Sequence, residues 1–257
     1  MADGGDELDD TRAPLLEHLI ELRRRLIRSF LALGAAFLIC LYFARPIFAF
    51  LVQPLLHAGQ GKLIYTDIFE AFFAQMKVAF FSAIMLSFPV VANQAWRFIA
   101  PGLYGKEKRA LRPFLVLTPV LFLSGAAMAY YVAMPLALHF LLGYKGDIGG
   151  VQQEALPAIG NYLSFVTKFM FGFGVAFLLP VLLMLLERAG IVTRGQLRKG
   201  RRYAYVASFG VAAVLSPPDA VSMMLLAVPL CLLFEFALVM MWFTERRRAR
   251  EAAAEPA

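Results

Sequence analysis

Charged side chains are scarce in this sequence, at 17% of 257 residues, while apolar residues reach 60%. A water-soluble domain of this length is nearer a quarter charged and half apolar. Cysteine is almost missing: Cys40 and Cys231 both sit inside apolar runs, which excludes a disulfide framework and a thiolate metal site. The three histidines, His18, His57 and His139, lie far apart without ligand spacing, so no metal site is expected. Nucleotide and catalytic signatures are also missing. The GFG at Gly172 to Gly174 lacks a third glycine and a preceding strand, GLYGKEK lacks the phosphate-loop spacing, and there is no Gly-x-Ser-x-Gly. The chain therefore reads as no enzyme and as needing no cofactor, so work against a gradient must be driven from elsewhere. The opening MADGGDELDDTRAPLLEHL is acidic and polar where a cleavable signal peptide needs a basic end and an apolar stretch.

What is present is a series of long apolar runs. A helix crossing the hydrocarbon layer needs about 20 mostly apolar residues. Expected spans cover residues 26–44, 72–92, 113–135, 161–186, 203–215 and a sixth from Val221, whose apolar run continues to Phe243. The fifth has only 13 residues, rising about 20 Å against a hydrocarbon core of ~30 Å. Glu235 inside the sixth run favours a short membrane part, 221–234, with the acid near the interface. Before the first span, PLLEHLIELRRRL is amphipathic, with Leu15, Leu19, Leu22 and Leu26 at helical spacing, and Pro14 suits a first helical turn. Residues 1–13 read as a disordered tail, 14–243 as the transmembrane domain and 244–257 as a polar tail. Pro89, Pro119, Pro135, Pro180 and Pro229 are expected to kink or end spans, which suits a curved wall with a concave face.

Lysine and arginine set the orientation. Of 25, 20 fall in the N-terminal segment, residues 93–112, residues 187–202 and the tail, against three (Arg45, Lys62, Lys145) on the opposite side. This asymmetry predicts both termini in the cytoplasm. It also accounts for the net charge of +7 without nucleic acid as a partner. The fold expected is an all-α integral membrane protein with six transmembrane helices, a concave face and short fifth and sixth spans.

Six segments occur in an order that resembles the TatC family, the core receptor of the twin-arginine protein translocase. They are HLIELRRRL at 18–26, WRFIAPGLYGKEKR at 96–109, YLSFV at 162–166, LRKGRRY at 197–203, LSPPD at 215–219 and LLFE at 232–235. The resemblance covers about residues 14–245. It implies a receptor and scaffold in the cell inner membrane that binds the twin-arginine signals of folded precursor proteins. It also implies recruitment of TatA-type and TatB-type single-span subunits, a homo-oligomer in the assembled receptor complex, contact with membrane lipids, and export driven by the proton gradient.

The positions matching the family's signal-binding acids are Glu21 and Glu107. Guanidinium forks bind carboxylates bidentately through charge-assisted bonds, so acids at the cytoplasmic surface suit a paired-Arg ligand. Without the resemblance, Glu21 reads as a partner for Arg25 one turn on, worth about 0.3–0.5 kcal/mol, and Glu107 as a solvated charge. Glu17 lies one turn before Glu21 and reads as a surface acid near a helix start. By the same matching, Arg23 orients Glu21 or holds the lipid interface, and Gln94 lines the cytoplasmic mouth. Phe98, Pro101 and Tyr104 shape the loop and pack the signal, while Pro54 and Phe72 cap the concave face. Asp219 is expected to cap the sixth helix. Two positions depart from the family: Leu178 stands where a fourth-span Glu is common, and Met223 where a Gln often follows the Pro-Pro-Asp turn. Both belong to the partner-docking region the resemblance implies. Lys77 and Lys168 fall within spans, with snorkelling the expected behaviour of Lys168. The alternative function, a secondary transporter for a small solute, would show internal repeats and midplane charge, and neither is visible. A membrane-embedded hydrolase would need a nucleophile and base within the spans, and none is found.

Overall fold

The computed structural model describes residues 6–99, 108–144, 146–149, 151–153, 155–216 and 219–254. Long apolar stretches in lipid must satisfy every backbone group internally, which favours helices. The helices are α1 (Asp6–Tyr42), α2 (Ala44–His57), α3 (Glu70–Ile99), α4 (Lys108–Met128), α5 (Met134–Leu142), α6 (Ile159–Ala176), α7 (Leu179–Arg188), α8 (Arg194–Lys199), α9 (Arg201–Leu215) and α10 (Ala220–Ala254). Five stretches are long and apolar enough to cross a membrane: Leu19–Tyr42, Glu70–Phe98, Leu115–Leu142, Ile159–Arg188 and Ala220–Arg246. The expected fifth span corresponds to α9, whose 15 residues rise about 22 Å.

The helix α6 is the centre of the bundle. Leu163, Val166, Phe169 and Phe173 are fully buried, joined in one core by Leu51 and Leu55 of α2, Val78 of α3, Ala126 of α4 and Leu226 of α10. Close approach of α4 to α6 depends on two glycines. A Cβ on Gly125 would stand 2.5 Å from the Phe173 carbonyl oxygen, and one on Gly174 would stand 2.7 Å from the Phe122 ring. Small residues at helix contacts serve this purpose where lipid tails are as apolar as the side chains. A second core joins Val181, Met184 and Leu185 of α7 to Phe234, Leu238 and Met241 of α10. The third is a seam of small side chains, Ala36 and Cys40 of α1 against Ala79 and Ala83 of α3. An apolar cavity of about 570 Å³ opens between α1, α2, α3, α4 and α6, beside Cys40, Phe81, Met85, Leu123 and Met170.

Several expectations are corrected. The first helix starts at Asp6 rather than near Pro14. Pro135 does not end the third span. The backbone widens to a π-turn over Ala129–Ala133, where Met134 N–H donates to the Ala129 carbonyl, and the helix continues as α5. A proline removes one helical donor, and a π-turn re-registers the ladder around that gap. The fourth span is broken instead: Phe177 and Leu178 separate α6 from α7, with Pro180 in the first turn of α7. The all-α class holds, with one short hairpin in the loop between α5 and α6. Residues Gly146–Ile148 and Val151–Gln153 form a two-stranded antiparallel hairpin, β1 and β2. Gly149, at φ +66°, supplies the left-handed conformation that a tight hairpin turn needs.

The sixth helix runs unbroken to Ala254, beyond the apolar run that reaches Phe243. Its acid is neutralised in place. Glu235 accepts from Arg201 Nη2 at 2.7 Å and from the Tyr205 hydroxyl at 2.6 Å, so the helix can carry a charge without stopping. These bonds set Glu235 level with the first turns of α9.

Candidate functional site

The helix α1 lies against α3 so that its first half meets the last turns of α3. Between them is a polar pocket of about 320 Å³, lined by Ile20, Glu21, Arg24, Arg25 and Arg28 of α1 and Arg97 of α3. Positions 21, 24, 25 and 28 share one helical face by their spacing of three and four. Glu21 is about one-third exposed and Arg25 is more buried. Arg25 donates to Glu21 Oε1 through Nε at 3.1 Å and also through Nη2. Arg97 Nε donates to Asn93 Oδ1 at 3.2 Å. In the described part of this pocket, one carboxylate faces four guanidiniums. Within it the Glu21 carboxylate is held by an internal arginine one turn on.

The remaining sequence-derived residues spread around this pocket. Arg23 is exposed and is not among the lining residues. Gln94 is half-buried one turn before Phe98, and its Oε1 is buried without a hydrogen-bond partner among the described residues. Phe98 is half-buried. The last turns of α3 are held to α4 by Trp96, whose Nε1 donates to Thr118 Oγ1 at 2.9 Å. Glu107, Pro101, Tyr104 and the side chain of Glu17 lie outside the described residues. Sequence reasoning missed Arg24, Arg28 and Arg97 as wall residues. The run of basic residues after Glu21 read as interface charge, although its spacing already placed two of them beside the acid.

At the opposite end of the bundle the candidate docking residues do not form one site. Pro54 is buried within α2. Phe72 is exposed on α3, edge-on to Phe73 with centroids 5.6 Å apart. The carboxylate of Glu70 ties this end together, accepting from Thr66 N–H at 2.5 Å, Thr66 Oγ1 at 2.9 Å and Gly160 N–H at 2.6 Å. Asp219 caps α10, with its Oδ1 accepting from Ser222 N–H at 2.7 Å. Met223, where a polar residue was expected from the resemblance, is half-buried and packs on the main core. Leu178 stands apart from these, half-buried at the break between α6 and α7. Lys77 Nζ donates to Ser164 Oγ at 2.8 Å, joining α3 to α6.

A helical bundle with five stretches long and apolar enough to cross a membrane, and a carboxylate pocket lined by arginines, defines a membrane-embedded protein. The family model described as "Sec-independent protein translocase protein (TatC)" matches residues 17–229. The Magnetococcus marinus TatC protein is 45% identical over 250 residues, covering 96% of this chain and 91% of its own. The Escherichia coli K12 TatC protein is 43% identical over 230 residues, covering 89% and 87%. A crystal structure of the twin-arginine translocase receptor TatC superposes with a TM-score of 0.76 at 38% identity, covering 88% of this chain and 98% of that one. The same receptor in DDM gives 0.77. The chain belongs to the TatC family, and is a component of the Sec-independent, twin-arginine protein translocase.

Proposed function

We propose that this chain is the receptor subunit of that translocase, binding the paired arginines of precursor signal peptides at the Glu21 pocket and recruiting single-span TatA-type and TatB-type partners. The observation that carries the reading is Glu21 itself, a partly exposed carboxylate already shaped to a guanidinium. Glu107 is the second acid, so that each carboxylate takes one arginine. Gln94 and Phe98, one turn apart on α3, extend the binding surface, and Arg23 holds the lipid interface. In this reading α9 crosses as a short fifth span, giving six in all, both termini face the cytoplasm, and copies of the chain associate in the working complex. The 20-to-3 distribution of basic residues supports that orientation. The sequence departures at Leu178 and Met223 direct partner docking toward apolar packing.

The test is photo-crosslinking from residues 21 and 107 to a precursor bearing either a twin-arginine or a twin-lysine signal, in membranes. Adducts at both positions are expected with arginine, and weaker ones with lysine, because lysine lacks the planar fork. Equal adducts with both signals would refute the assignment of these acids.

A further inference from the structure

A second basic pocket, far from Glu21 in sequence, is formed where α8 and the start of α9 meet the last apolar turns of α10. It has a volume of about 190 Å³, with Arg194, Arg198 and Arg201 on one wall and Val239, Trp242 and Phe243 on the other. Two of the arginines are spoken for: Arg194 pairs with Glu245 at 2.9 Å and Arg201 with Glu235 at 2.7 Å. Arg198 has no carboxylate among the described residues and is exposed. Arg246 stacks on Trp242, its guanidinium carbon 3.9 Å from the ring centroid. Four guanidiniums thus meet two carboxylates, leaving two positive charges in excess. The apolar wall is open as well: Val239 is 47% and Phe243 57% exposed.

We propose that this pocket is a specific site for the headgroup of an anionic phospholipid. Its two walls match the two halves of such a molecule. Arginine forks bind phosphate oxygens bidentately, and the pocket lies where the apolar run of α10 gives way to TERRRAR, which is the level of headgroups. Trp242 is placed as interfacial tryptophans are, with its ring between apolar and charged layers. Val239 and Phe243 continue from the basic wall along the apolar part of α10 and offer a track for an acyl chain. No residue lining this pocket lines the Glu21 pocket, so the site is separate from it and does not rest on its assignment.

The chain has two tryptophans, so Trp96→Phe leaves Trp242 as the sole tryptophan, excited selectively at the red edge of the band. The full chain is reconstituted in phosphatidylcholine vesicles doped with dibrominated phosphatidylglycerol or dibrominated phosphatidylcholine, and quenching of Trp242 is titrated. Preferential quenching by the phosphatidylglycerol is expected, and Arg198→Gln should lower that preference about tenfold, the worth of one charge-assisted bond to phosphate. Lys199→Gln, which removes a neighbouring cation outside the pocket, should leave it unchanged. Because Trp96 also holds Thr118, native mass spectrometry of the tryptophan-intact chain is the second readout. Retained phosphatidylglycerol should be lost in Arg198→Gln and kept in Lys199→Gln. Equal quenching by both lipids, equal loss in both variants, or displacement of the lipid by millimolar glycerol phosphate would each overturn the proposal. The last outcome would show a site for soluble phosphate esters.

Discussion

On the proposed assignment of Glu21 to signal binding, Arg25 occupies the position an incoming guanidinium would take, so its removal should strengthen signal binding while removal of Glu21 weakens it. The pair is a helical contact four residues apart and partly exposed, which places its worth at about 0.3–0.5 kcal/mol. A charge-assisted bond to an external arginine contributes about 1.5–3 kcal/mol. Displacing Arg25 subtracts the smaller figure, leaving about 1–2.5 kcal/mol for Glu21. At 1.4 kcal/mol per tenfold, Glu21→Gln should weaken a twin-arginine peptide by about five- to seventyfold. Arg25→Ala should tighten it about twofold, because the guest no longer competes with the internal arginine. The assay is fluorescence anisotropy of a labelled signal peptide against the detergent-solubilised chain, with the double variant closing a mutant cycle. In Glu21→Gln/Arg25→Ala the gain from losing Arg25 should vanish, since nothing remains to be uncovered. Weaker binding by Arg25→Ala alone would show that Arg25 touches the peptide directly, and would refute the competition argument.

The α4–α6 contact gives a packing test: Gly174→Ala puts a methyl against Phe122 and should lower the detergent melting temperature, with an overpacking penalty of about 1–3 kcal/mol. An unchanged melting temperature would mean the helices separate freely. Asp219→Ala removes the α10 cap and should cost about 1 kcal/mol of stability while leaving peptide affinity intact; lost affinity at unchanged stability would assign Asp219 to binding instead. For orientation, cysteines at Gly61 and Gly149 should react with an impermeant thiol reagent in intact cells, and one at Gly195 only after lysis. Labelling at Gly195 in intact cells would reverse the proposed topology.

The class of protein was legible from composition alone, because hydrocarbon imposes a length and an apolarity that no soluble core requires. The acid at position 21 and its arginine one turn on were equally legible, since helical spacing is local. Other features depended on contacts between distant residues. Glu235 read as an acid near the membrane interface, but its partners Arg201 and Tyr205, 34 and 30 residues away, were not visible in the sequence. Pro135 and Pro180 look alike in sequence, but one is absorbed by a π-turn and the other marks the start of a new helix. Arg97 joined the Glu21 pocket only because α3 packs along α1. The sequence by itself determined which segments are helical, which end is basic and where the candidate acid lies, since these follow from local periodicity and charge. Tertiary structure decided which charges are compensated, which prolines interrupt, and which basic residues gather into pockets, because each of these is a property of neighbours the chain brings together only on folding.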